Sequence, residues 1–267
     1  MRRGWVDFLR GSELSGHAAQ VYEDREELAD SVVSYLSSGF HIGEPAIVVA
    51  TRENFSLLAT RLVASGWNVR DLDEQGLLVV ADAGSTLQTI MRKNRPSQIA
   101  FEAVVGTILD QLAWRFPGRR TRVFGEMVSL LCERGQTDAA IELEEFWNDL
   151  AQRRLFSLLC GYRLNVFDHA SQVGPLPAVC RLHSHVLIAP DDARLGRAVG
   201  RALEDVLGQA QAGQVYLLIG EQARQERVPV SQLAMMWVSA NMPVLAERVL
   251  AVARAHYSAE PAPALSI

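Results

Sequence analysis

The chain has 267 residues, 49% of them hydrophobic, 21% charged and 7% aromatic, a balance that excludes collagen-like, coiled-coil and largely disordered proteins. Its formal net charge is −5, from 26 Lys+Arg against 31 Asp+Glu, with Lys93 the single lysine, so a dedicated polyanion binder is not supported. The length suits one α/β domain carrying a helical appendage.

Arg2, Arg3, Asp7 and Arg10 break up the start of the chain, which predicts a loose arm over 1–14 in place of a secretion leader. Residues 17–22 then read as a strand, and Asp24, with Glu27 as capping-box partner, opens a helix that Gly39 is expected to stop. A second strand over 45–50 is followed by Phe55, Leu58, Leu62 and Val63 at helical spacing up to Gly66. The third strand, 77–81, precedes helices over 85–91 and 97–114. The fourth, 121–124, runs into Gly125-Glu126. Two helical segments split by Gly135 and restarted at Thr137 lead to the fifth strand, 155–160, closed by Gly161. This rhythm predicts an α/β domain over 15–185 with a mainly parallel sheet and flanking helices.

Gly174, Pro175 and Pro177 then mark a break. Asp191 caps a helix with Leu195, Val199, Leu203, Val206 and Leu207 on one face, stopped by Gly208; another helix follows Pro243, while 215–219 is an ambiguous apolar stretch. Residues 186–257 are therefore expected to be a helical output or dimerisation region, and 258–267, with Pro261 and Pro263, a flexible tail. The apolar runs have strand length, too short to span a bilayer. Cys132, Cys160 and Cys180 form no CxxC, so neither a zinc site nor a disulfide framework is expected, and reduced thiols fit a cytoplasmic protein.

No GxxxxGK[ST] occurs, and the strand-to-helix turn from Val49 to Asn54 holds no glycine, so the usual phosphate cradle is missing. Gly39 and Gly43 precede a strand and are punctuation. With no GxSxG, HExxH or EF-hand spacing, no catalytic residue, metal or cofactor is predicted, and the chain is expected not to be an enzyme. His183 and His185, two apart, project to opposite sides of a strand and read as local structure. Parallel sheets bind ligands at their carboxyl edge, which points to Tyr22, Thr51, Arg52, Asp82, Glu126 and Tyr162. Glu126 is the foremost polar candidate, with a helix-start carboxylate as its plainer reading. His17 and Cys160 read equally as core groups, and Trp114, Phe146 and Trp147 as core aromatics.

His17-Ala-Ala-Gln-Val-Tyr22, Gly43-Glu44-Pro45, Arg122-Val-Phe-Gly-Glu-Met127, Leu143-Glu144 with Asn148, and Leu159-Cys160-Gly-Tyr162 together resemble the MEDS domain, the sensory module of methanogens, methylotrophs and the dichloromethane dehalogenase regulator. The resemblance covers about 15–185, and Phe-Gly-Glu-Met is its most specific part. It implies a degenerate RecA/KaiC-like fold without a P-loop, and non-catalytic sensing of a small organic ligand, a hydrocarbon derivative, in prokaryotic signal transduction. By matching positions it implies ligand contact or pocket shaping by His17, Tyr22, Glu126, Glu144, Asn148 and Cys160. Leu143 stands where the family often has tyrosine, and Arg163 where it often has an acid, which leaves the ligand open. Such sensors join an output. A helix-turn-helix over 228–241 would have only Arg224, Arg227 and Arg248 nearby, so a protein partner or a second copy in a homodimer is expected before nucleic acid. The competing readings are a DNA-binding transcriptional regulator and a divergent nucleotide-binding protein or ATPase.

Overall fold

Asp24, Thr51 and Asp82 each end an extended segment, and each side-chain oxygen accepts an N–H from the first turn of the next helix. These caps cut the chain into strand–helix units. The computed structural model describes residues 2–11, 16–225 and 228–260. Its elements begin with α1 (Arg2–Arg10), β1 (His17–Tyr22), α2 (Arg25–Phe40), β2 (Ala46–Ala50), α3 (Arg52–Ala64), α4 (Val69–Glu74), β3 (Leu78–Asp82) and α5 (Ala83–Ile90). A two-residue-per-strand hairpin, β4 (Met91–Arg92) and β5 (Arg95–Pro96), precedes α6 (Gln98–Phe101), a π turn over Glu102–Gly106, and α7 (Thr107–Arg115). Then come β6 (Thr121–Gly125), α8 (Met127–Glu133), α9 (Thr137–Ala151), β7 (Phe156–Arg163), α10 (His169–Val173), α11 (Pro175–Leu182) and β8 (His185–Leu187). The chain closes with α12 (Asp192–Leu207), α13 (Gln209–Gln225), α14 (Val230–Asn241) and α15 (Pro243–Ala259).

The main sheet has the order β3-β2-β6-β7-β1-β8. Pairings β2–β3, β2–β6, β6–β7 and β7–β1 are all parallel, so the α/β class with a parallel sheet, flanking helices and C-terminal helices is as expected. The chain divides into two units, one of residues 2–163 with 182–185, the other of 164–181 with 186–267. In the second, α12 packs along α15 and α14, burying Leu195, Val199, Leu203, Val249 and Leu250.

Several local expectations are corrected. The loose arm is in its described part a helix, α1, because Trp5, Phe8 and Leu9 fall on one face and are buried, Phe8 stacking on Tyr35 at 5.3 Å; Met1 and residues 12–14 lie outside the described residues. Gly161 does not close the fifth strand, which continues to Arg163. A Cβ at Gly161 would stand 3.3 Å from the Phe124 ring, so this glycine serves close packing instead of a turn. The helix expected over 97–114 is broken by the π turn, and Trp114, two residues past buried Leu112, is 86% exposed instead of core. Residues 215–219 lie inside α13, and of the tail, Ser258 and Ala259 end α15 while 261–267 lie outside the described residues. The stretch weighed as a helix-turn-helix is a single helix over Val230–Asn241, and Arg227 lies outside the described residues.

Gly39, expected to stop α2, lies within it one residue before its end. Its missing side chain leaves room for Arg122, whose Cδ would be 2.6 Å from a Cβ there. The fully buried Arg122 donates from Nε to Glu44 Oε2 at 2.7 Å and from Nη1 to the carbonyls of Leu9 at 2.9 Å and Tyr35 at 2.6 Å. Arg120 Nη2 reaches the same carboxylate at 3.0 Å. This knot joins α1, α2, β6 and the turn before β2 at the amino edge of the sheet.

Candidate functional site

At the carboxyl edge, β1, β2 and β6 end on Tyr22, Ala50-Thr51 and Gly125-Glu126. Glu126, 1% exposed, accepts at Oε2 from the Thr51 backbone N–H at 2.8 Å and at Oε1 from Tyr22 OH at 3.1 Å and from Asn54 Nδ2. Asn54 Nδ2 also donates to Tyr22 OH at 3.1 Å, and Asn54 Oδ1 is buried with no hydrogen-bond partner among the described residues. These groups form the floor of a cleft of about 290 Å³, whose rim carries Arg25, Arg52, Glu53, Glu133 and Arg163. Burial pushes the Glu126 carboxyl up, against the pull of its donors, and raises the Tyr22 phenol as well. A wider groove of about 800 Å³ beside the end of β3 includes Asp82, Lys93 and Arg134, but no buried polar side chain lines it.

The Thr51 turn explains what this edge can accept. In a phosphate-binding α/β protein, the free N–H groups at the helix start after the strand hold the anion. Here Thr51 Oγ1 caps α3 through Asn54 N, and the Thr51 N–H is spent on Glu126. A carboxylate of the protein therefore occupies the N–H of the residue that opens α3.

The remaining sequence candidates converge elsewhere. In β1 and β7, parallel register pairs His17 with Leu158 and Ala19 with Cys160, so His17, Cys160 and Tyr162 share one sheet face. Across that face runs α9, whose Glu144 is 1% exposed. His17 Nε2 lies 3.0 Å from Glu144 Oε2 and 3.4 Å from Cys160 Sγ, and Cys160 Sγ 3.7 Å from the same oxygen. Tyr162 OH donates to Glu144 Oε1, and His183 Nε2 is 3.4 Å from it. Asn148, one turn along α9, accepts at Oδ1 from His17 Nδ1 at 2.9 Å, its amide nitrogen donating to the Leu182 carbonyl at 3.4 Å. Burial alone would raise Glu144, yet the facing His183 and His17 hold it well below the carboxylate range. Burial and Glu144 push the Cys160 thiol and Tyr162 phenol well up.

The nine candidates thus form two groups: Tyr22, Thr51, Arg52 and Glu126 at the cleft, and His17, Glu144, Asn148, Cys160 and Tyr162 in the buried cluster. Asn54 and His183 belong with them; Asn54 is not singled out by the sequence, and His183 reads there as local structure. Asn54 carries a signal, a buried-type position one turn after a strand end. His183 carries none locally, since its ring meets His17 at 4.1 Å between centroids while His185 stacks near Phe8.

A parallel sheet flanked by helices, with a polar cleft at its carboxyl edge, defines an α/β domain. Residues 16–183 match MEDS, the MEthanogen/methylotroph, DcmR Sensory domain, and the chain belongs to that family. Its membership suggests a signal-transduction sensor and agrees with a non-catalytic role. No curated protein matches the chain. Among the described residues, no helix is long and apolar enough to cross a membrane.

Proposed function

We propose that this chain is a cytoplasmic prokaryotic sensor that binds a compact hydrocarbon derivative without transforming it. The observation that carries this reading is the cleft floor of Glu126, Tyr22 and Asn54, buried polar groups with one acceptor unused at Asn54 Oδ1. A cleft of about 290 Å³ lies at the small end of ligand pockets, which run from roughly 300 to 1,000 Å³. It fits a molecule of a few heavy atoms with one hydrogen-bonding group. Residues 15–185 are the sensory part in this reading, and 186–257 pass the bound state to a partner protein or a second copy. Leu217, Leu218 and Val244 are exposed on α13 and α15, apolar surface that favours a protein contact over phosphate contacts. The carboxylate at the start of α3 disfavours the nucleotide alternative.

A thermal-shift series with methanol, ethanol, dichloromethane, acetate and ATP tests the reading, because selective binding raises apparent stability. A small organic compound is expected to raise Tm in the wild type and to lose that effect in Glu126→Gln. A shift by ATP alone would overturn it.

Titration gives a separate expectation. Because folding raises the Glu126 pKa, the folded chain holds this proton to higher pH than the unfolded chain does. Its contribution to stability is complete below the ordinary value of 4.5 and falls as pH rises through the raised one. Urea unfolding across that window is expected to show wild type losing stability relative to Glu126→Gln as pH increases. Parallel profiles for the two proteins would contradict the assignment.

A further inference from the structure

His17, Glu144, Cys160 and His183 are all buried, and they offer one ligand atom each within 4.8 Å of one another. We propose that this cluster is a binding site for one divalent d-block cation of the zinc class, a role separate from the organic-ligand cleft. A tetrahedron with metal–ligand bonds of about 2.0–2.3 Å has edges of roughly 3.3–3.8 Å. Around Glu144 Oε2, His17 Nε2 lies at 3.0 Å and Cys160 Sγ at 3.7 Å, with 3.4 Å between His17 Nε2 and Cys160 Sγ, while His183 Nε2 lies 3.4 Å from the other oxygen, Glu144 Oε1. One ligand atom from each of the four residues lies within 4.8 Å of the others, so a small contraction would bring all four onto one ion. Two imidazoles, a thiolate and a carboxylate are a borderline ligand set that selects zinc and its neighbours over magnesium or calcium.

The surroundings support the same reading. Asn148 Oδ1 accepts from His17 Nδ1, which leaves the Nε2 lone pair directed at the cluster. Its orientation is fixed because the Asn148 amide nitrogen donates to the Leu182 carbonyl. Outer partners of this kind set the tautomer and direction of a ligating histidine. Ser184 Oγ accepts from His17 N at 3.2 Å and donates to His17 O at 2.9 Å, which holds the two histidine-bearing segments side by side. On binding, Cys160 loses its thiol proton to solvent and both histidines ligate as neutral imidazoles. The dication then balances the carboxylate and the thiolate, so the buried site carries no net charge. Four protein ligands close the shell, which makes the role structural. The ion would pin 182–185 to β1, β7 and α9.

The test uses the full chain, stripped with a chelator and titrated with Zn2+ and Co2+. One equivalent is expected to bind and to raise Tm. The Co2+ form should show a thiolate-to-cobalt charge-transfer band and the intense visible bands of four-coordinate geometry. Cys160→Ser should lose the charge-transfer band, and Cys132→Ser should keep it. Asn148→Ala should weaken Zn2+ binding about 10–100-fold, with Asn148→Asp, which keeps the acceptor, restoring it. A wild-type Co2+ form without the charge-transfer band, or a band that survives Cys160→Ser, overturns the proposal. Should Cys160→Ser fail to fold, the wild-type spectrum and the Asn148 pair still decide.

Discussion

Glu44→Ala is expected to destabilise the chain by about 3–5 kcal/mol, the usual cost of stranding a buried charge. Glu44 is the carboxylate between Arg120 and Arg122, both nearly inaccessible to water. Without it, among the described residues, the Arg122 guanidinium keeps the carbonyls of Leu9 and Tyr35 and the Tyr35 ring, 5.0 Å away. Dipoles and a π face do not neutralise a full charge in a dry interior. The measurement is urea unfolding, read as a lower midpoint at an unchanged slope. A change within about 0.5 kcal/mol, the range of ordinary surface substitutions, would show that water reaches this knot.

Trp147→Ala is expected to cost a similar amount, about 3–5 kcal/mol, because the cavity left by a large buried aromatic is only partly refilled. Trp147 is 1% exposed and meets Phe101 at 4.9 Å and 83° and Phe156 at 6.0 Å and 61°. It fixes the face of α9 that also carries Glu144 and Asn148, so the loss should extend to the buried cluster. Zn2+ affinity should fall along with the unfolding midpoint. Unchanged stability would mean that α9 is held by its aliphatic contacts at Leu143 and Leu150 alone.

The strand–helix units were legible because their signals are local. A short apolar run and the cap residue Asp24 mark the first unit, while the caps at Thr51 and Asp82, which the sequence offers only as strand-end positions, emerge in the structure. The carboxyl-edge rule alone points to Tyr22, Thr51 and Glu126, which line the cleft. The division into two groups was not legible. His17 and Tyr22 belong to one strand, and an odd separation of five sends them to opposite faces, but which face meets α9 depends on the β1–β7 register. His183 joins His17 across 166 positions of sequence, which no spacing rule detects. α1 was hidden for another reason: Trp5, Phe8 and Leu9 had helical spacing, but the arginines around them drew the reading toward a solvated arm. Arg122 sat inside a recognised motif, so its meaning as a charge on an interior strand went unread.

The sheet order places β1 beside β7, whose first residue comes 134 positions after the last of β1. A ribosome adding about 5–20 residues per second leaves the first strand without its neighbour for on the order of ten seconds. Through that time Ala18, Ala19 and Val21, all buried in the finished sheet, have no pairing edge, and helix α2 is the available cover. β2, β3 and β6, neighbours at one end of the sheet, all precede β7 in the chain, so the first strand has to wait for the crossover from β6 to β7, and long-range parallel pairing of this kind favours slow completion.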